Sequence, residues 1–352
     1  MNKNLLTNIS VSFVTIIIFL GVAEGGVRVL VDQWHCNRYN YDGVLPRSIY
    51  RLVDEPQDLI YELKPGAREV LYGKDGKEVR INAYGMRDEE ITIKKPENTF
   101  RIAVLGDSVT FGYGVDVEES YPDILEKKLQ TNGVGNRRIE VLNLGVMGYG
   151  MNQYLSVLEH KIFDFEPDVV ILGHHLNDIW GEGTVLIAPP FFLRFLGSHS
   201  SLYSCFNKKG TLGGKTLSVT DEIKNLPLQE MYRANTTTGE NSATWNKYKD
   251  TFEKISQISQ ERETPILIVL LPVWNKLNDD YEFRSIHALL GQTVREVGLY
   301  SLDLAPGESV WYEDAMEYRI NPRDADHPNA KGHGKIATTI YDKLVAEKLL
   351  PE

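Results

Sequence analysis

Five short apolar runs, separated by stretches of helical periodicity, constrain this chain more than any other feature: RIAVLG from 101, IEVLNLG from 139, DVVILG from 168, PILIVLLP from 265 and LYSLDL from 299. Amphipathic segments occur near 120–132, 150–164, 243–262, 282–297 and 329–348. Strands that are apolar on both faces need cover on both faces, and helices between successive strands make the sheet parallel. The expected fold is therefore α/β: a three-layer α/β/α sandwich around a central, mostly parallel five-stranded sheet with right-handed crossovers. Ligands of such sheets bind beyond the carboxyl ends of the strands. Ser108, Gly145 and Asn177 fall at the ends of the first, second and third runs.

The remaining segments are organised differently. Residues 31–97 read as a small β-rich accessory region, because EVLYGKDGKEVRIN at 69–82 alternates about Asp75-Gly76, a strong hairpin signal. The α/β domain covers 98–352, with an insert at about 180–242 rich in Gly, Ser, Asn and Thr. Within it, IAPPFFLRFL has the composition to grip an acyl chain or membrane surface, or to pack over the core. At the start, LLTNISVSFVTIIIFLGVA at 5–23 carries no charge, follows Lys3 and ends at Glu24. Residues 1–30 are thus an export element, either a signal cleaved near Gly21-Val22-Ala23 or an uncleaved membrane anchor. Either places the α/β domain on the periplasmic or extracellular face of the cytoplasmic membrane. The net charge of -11, with no long basic run, excludes nucleic acid as a partner. Cys36 and Cys205 are too few for a disulfide framework and too far apart for a zinc knuckle; they form one bridge or stay as isolated thiols.

The first run leads into GDSVTFGYG at 106–114. A serine at such a turn attacks a carbonyl only when a base, an orienting carboxylate and oxyanion donors are supplied. DADHPNAKGHGKIA at 324–337 offers the base, His327, with Asp324 three residues earlier. In a turn this spacing folds the carboxylate onto one imidazole nitrogen and leaves the other free for a serine proton, whereas Asp326 points elsewhere. Gly145 in NLGVMGYG has no side chain to obstruct its amide, Asn177 in LGHHLND carries a side-chain amide, and Ser108 adds its own N–H. Each also has a plain use: aspartates and asparagines cap turns, and glycines sit in most strand-to-helix turns. His174 and His175, with Asp178 nearby, invite a metal reading. Successive residues of an extended segment face opposite ways, however, which favours pocket lining or a structural role. His333, early in the last helix, reads as a surface or packing residue.

These four blocks together resemble the SGNH, or GDSL-type, hydrolase superfamily. The resemblance covers about 98–350 and implies a flavodoxin-like α/β/α sheet. It implies Ser108 as nucleophile, His327 as base, Asp324 as its orienter, and Ser108, Gly145 and Asn177 as the oxyanion hole. Asp107, Asp178 and His175 border these positions and are read as supporting residues. One block departs from the pattern, since His175 stands where the family's G-x-N-D motif has glycine. LIYELKPG at 59 and NAYGMRDEE at 82 resemble a subgroup of exported or membrane-anchored bacterial members with an extra N-terminal β region. The implied activity is that of a serine esterase acting through an acyl-enzyme on an O-acetyl or short acyl ester of a cell-envelope or extracellular glycan. An O-acyltransferase that passes the acyl group to a sugar hydroxyl uses the same residues. A noncatalytic glycan-binding or assembly component has no need of the complete serine, histidine and aspartate set. No metal or organic cofactor is implied.

Overall fold

The computed structural model of the protein describes residues 48–53, 55–56, 58–59, 61–71, 76–133, 135–176, 178, 243–274, 277, 281, 283–305, 315–321, 324 and 326–351, with 15 and 18–24 in the leader. The chain divides into two compact units, one of 48–184 with 218–352 and one of 1–47 with 185–217. Of the second, the described residues are helical and leave Ile18, Phe19, Leu20 and Val22 exposed. Among the described residues no helix is long and apolar enough to cross a membrane. Most of the leader, Cys36, Cys205 and the insert at 180–242 lie outside them.

The first unit is built on the five runs. Strands β5 (Thr99–Gly106), β6 (Arg138–Gly145), β7 (Val169–His175), β8 (Ile266–Leu271) and β9 (Tyr300–Asp303) form one sheet in the order β6-β5-β7-β8-β9. Every pairing is parallel, one step beyond the mostly parallel sheet expected. All residues of β5, β7 and β8 are buried, as their mainly apolar character requires, and the one charged side chain among them, Arg101, is paired with Glu140 of β6. The helices are α1 (Ser108–Phe111), α2 (Tyr121–Asn132), α3 (Met151–His160), α4 (Ala243–Glu261), α5 (Arg284–Glu296) and α6 (Ala330–Ala346). Leu125 and Leu129 of α2 and Ile336, Ile340 and Leu344 of α6 join Ile102, Val104, Ile171 and Val269 in one core. Helix α3 packs on α4, and α4 and β8 on α5.

Upstream lie two short antiparallel pairs, β1 (Tyr50–Leu52) with β2 (Tyr61–Leu63), and β3 (Arg68–Leu71) with β4 (Lys77–Arg80). The second is the predicted hairpin; Asp75 of its turn lies outside the described residues. These pairs belong to the same compact unit as the sheet.

The carboxyl ends of the three leading strands are level. Gly106 of β5 pairs with Gly145 of β6 on one side and with Gly173 of β7 on the other. This row of three glycines leaves bare backbone under the turn that follows β5. A Cβ at Gly145 would collide with the backbone of Thr110 and Phe111, and one at Gly106 or Gly173 with the Thr110 side chain. Helix α1 therefore rests directly on the sheet.

Candidate active site

Ser108 is the first residue of α1. Asp107 caps that helix: its carboxylate accepts the Val109 N–H at 2.9 Å, and its carbonyl accepts the Phe111 N–H at 2.9 Å. At the other end Gly112 takes the left-handed conformation (φ 83°), so that its N–H and that of Tyr113 return to the Ser108 carbonyl at 3.1 and 3.0 Å. Val109, Thr110 and Phe111 are buried, and Thr110 Oγ1 is hydrogen-bonded to the Tyr121 hydroxyl at 2.7 Å. Ser108 alone of the helix is partly open to solvent.

The predicted acid and base come to it from far along the chain. His327 Nε2 lies 2.8 Å from Ser108 Oγ. The other ring nitrogen, Nδ1, lies 2.9 and 3.0 Å from the two carboxylate oxygens of Asp324. A carboxylate only accepts, so Nδ1 carries the proton and Nε2 is left to accept the serine hydroxyl. Asp324 Oδ1 also accepts the backbone N–H of Asp326 and of His327, each at 2.9 Å. Burial pushes the Asp324 carboxyl up, but the bonds from His327 and these amides outweigh it and hold it below the usual carboxylate range. The loop is closed by the Arg319–Pro328 bridge, by Arg319 Nε donating to the Asp324 carbonyl at 2.6 Å, and by the Asn329 N–H donating to the Tyr318 carbonyl at 2.7 Å. Asn329 then caps α6 by accepting the Gly332 N–H at 3.1 Å. The Tyr113 ring lies 4.2 Å from the His327 ring, a contact that the sequence did not mark.

Gly145 departs from expectation. Its N–H donates to Asn143 Oδ1 at 3.0 Å, and its missing side chain makes room for α1. It is a seat for the helix and its amide is engaged, so it does not supply the expected oxyanion donor. Three residues on, Gly148 is left-handed (φ 78°) and exposed, and among the described residues its N–H has no acceptor. That turn is fixed by β2, where the Tyr61 hydroxyl donates to the Met147 carbonyl at 2.9 Å and the Tyr149 hydroxyl to the Tyr61 carbonyl at 2.7 Å. The signal was present in NLGVMGYG, but choosing among its glycines requires knowing where β6 ends. Asn177 lies outside the described residues.

The supporting residues are buried. Asp178 accepts the His175 N–H at 2.8 Å and the Tyr154 hydroxyl at 3.1 Å. Burial, with the nearby Asp107 charge, pushes its carboxyl well above the usual range. Burial likewise raises Asp107, against the opposing influence of His175 and the Val109 amide. His174 is turned toward α4, where Nε2 meets the Tyr248 hydroxyl, and burial first and His175 second push it down to about 3. The two histidines thus face different surroundings, and among the described residues no group of three or more His, Cys, Asp or Glu is arranged to hold a metal ion. His333 is fully buried, with its Nδ1 accepting the Tyr121 N–H at 3.2 Å, which makes it a packing residue.

Residues 104–335 match the model of the GDSL-like lipase/acylhydrolase family. No curated protein sequence matches the chain. Among solved structures, an α/β-hydrolase enzyme from the metagenome of Lake Arreo, Spain, is similar at 16% identity and a TM-score of 0.44, over 72% of this chain and 97% of that one. A lipase/acylhydrolase from Enterococcus faecalis is similar at 16% identity and a TM-score of 0.41, over 72% and 98%. An acetyl xylan esterase is similar at 17% identity and a TM-score of 0.40, over 69% and 98%.

Proposed function

The chain belongs to the GDSL-like lipase/acylhydrolase family and is a serine ester hydrolase, and from that premise we propose that it is exported and deacylates a cell-envelope or extracellular glycan through an acyl-enzyme. The observation that carries the mechanism is the 2.8 Å approach of Ser108 Oγ to His327 Nε2, with the opposite ring nitrogen on Asp324. Ser108 Oγ attacks the ester carbonyl carbon as its proton passes to His327 Nε2, and Asp324 stabilises the imidazolium. The oxyanion is received by the N–H groups of Ser108 and Gly148, joined by the Asn177 side chain that the family resemblance implies. The carbon–oxygen bond to the leaving alcohol then breaks, and His327 Nε2 returns its proton to that alcohol. A water molecule, deprotonated by the same nitrogen, attacks the acyl-Ser108 ester; the acyl–Oγ bond breaks, the acid leaves, and His327 Nε2 returns the proton to Ser108 Oγ.

Export and the glycan rest on the uncharged leader, which directs the domain to where acylated envelope polymers are found. The test is to incubate the protein with acetylated glycans and free hydroxyl acceptors, measuring acetate released against acetyl transferred. Acetate release with a phosphonate adduct on Ser108 is the expected result. Transfer in preference to release would make the protein an O-acyltransferase. Protease added to spheroplasts should digest the domain; protection until lysis would overturn export.

A further inference from the structure

A buried cation sits behind Ser108 that the acyl chemistry does not use. Arg87, on the segment after β4, is 1% exposed. Its Nη1 donates to the carbonyls of Phe111 at 3.0 Å and Gly112 at 2.5 Å, and its Nη2 to the carbonyl of Val115 at 2.7 Å. The guanidinium also lies 5.0 Å from the centroid of the Phe111 ring. These carbonyls belong to the C-terminal end of α1 and the loop leaving it. A single helical turn is unstable alone, and its last carbonyls have no partner within it. A cation at that end satisfies them and complements the helix dipole. The backbone comes unusually near: a Cβ at Gly112 would stand 2.9 Å from Arg87 Nη1. Next to this contact, Lys77 of β4 pairs with Asp116 at 2.5 Å, a second tie from the N-terminal strands to the same loop.

We propose that Arg87 is a positioning residue for the nucleophile: it clamps the far end of α1 against the sheet, so that Ser108 at the near end faces His327. The clamp rests on the reading of Ser108 as nucleophile. It gives the N-terminal β region a part in turnover through the backbone that carries Ser108. The fork geometry matters. Three carbonyls are reached from two nitrogens of one planar group, and a lysine ammonium cannot span them.

The full chain would be compared with R87A and R87K in three measurements: kcat and KM on p-nitrophenyl acetate, the rate of phosphonate labelling at Ser108, and hydrogen exchange of the peptide 107–117 with β7 as control. The variants should lose roughly 10- to 100-fold in kcat and labelling rate, as for a reacting group displaced by about an ångström, with KM changed less than about twofold. Exchange should rise over 107–117 and stay unchanged in β7. Added guanidinium ion should restore part of the R87A activity, and ammonium should not. If R87A does not fold, R87K, which keeps charge and bulk, decides the question. Labelling and exchange at wild-type rates in a folded variant would overturn the clamp. Absence of label on Ser108 in the wild type would overturn the nucleophile reading instead, and the exchange comparison would still decide the clamp.

Discussion

The turn that carries Ser108 and the loop that carries His327 meet at the Ser108–His327 hydrogen bond and at the Tyr113–His327 ring contact, yet they are held by opposite means. Helix α1 is fixed from a distance: by a glycine row drawn from three strands, by Tyr121, and by Arg87 from the N-terminal region. The loop carrying Asp324 and His327 is fixed from within, through hydrogen bonds that span a few residues, and it stays partly open, each side chain being 17% exposed. Long-range packing makes the position of Ser108 depend on the whole sheet. Short-range bonding makes the Asp324–His327 pair a nearly self-contained unit. The two regions should therefore respond differently to change.

The largest effects test the point where they meet. Ser108→Ala and His327→Ala should each lower kcat by several orders of magnitude, and the double variant should be no worse than either, since the residues act as one unit. Near-normal ester turnover by Ser108→Ala would reduce Ser108 to a turn hydroxyl. Next is Asp324→Asn, expected to cost roughly 10⁴-fold in kcat by presenting the wrong imidazole tautomer while leaving KM nearly unchanged. The melting temperature of this variant should fall most above the ordinary carboxylate range, where the wild-type carboxylate contributes its stability, and least at acid pH.

Gly145→Ala should behave differently. The added methyl meets the backbone of α1, not a side chain that can turn aside. A loss of about 1–3 kcal/mol in stability is expected, together with roughly a 100-fold fall in kcat as Ser108 is displaced. Wild-type stability and turnover in this variant would show that α1 is not seated on the sheet.

The smallest effect on turnover, and the finest contrast, lies in pH dependence. On the sheet side, Asp88 accepts the Asn143 N–H of edge strand β6 at 2.9 Å, and burial pushes its carboxyl up to about 7 against the bonds from Asn143 and Glu89. The folded state then holds a proton that the unfolded state has released. Stability should fall as pH rises from about 4 to about 7, at no more than roughly 1.36 kcal/mol per pH unit. Asp324 has the opposite sign: its lowered value adds stability above the ordinary carboxylate range, which is lost as pH falls through the folded value. Melting temperatures across pH should show Asp88→Asn flattening the first slope and Asp324→Asn the second. A wild-type profile in Asp88→Asn would mean that Asp88 is not the group responsible.

The same division decides what could be read from the sequence. The strands were legible because a strand buried on both faces must be mainly apolar, and Asp324 with His327 because a D-x-x-H turn carries its own geometry. Gly145 was misread because a glycine's role depends on what lies above it, here α1 from a neighbouring strand. Arg87 lies in the NAYGMRDEE segment, but its role gave no signal, since its acceptors lie 24 to 28 residues away and are backbone carbonyls, which every sequence contains. The Tyr113 ring meets a histidine ring more than two hundred positions later, and no local pattern encodes that.

The glycine row also bears on how the chain assembles. Gly106, Gly145 and Gly173 face one another only in a single alignment of β5, β6 and β7. Shift either neighbour by one residue and the position beside Gly106 passes to Leu144 or Val146 on one side, or to Leu172 or His174 on the other. Each has a side chain where α1 must rest. A slip of β6 also separates Arg101 from Glu140, its partner in the buried ion pair, and a sheet misaligned in this way has no place to set Ser108. On the proposed role of Ser108, turnover is expected only from correctly aligned molecules, and the bare backbone ties the site to the register of the sheet.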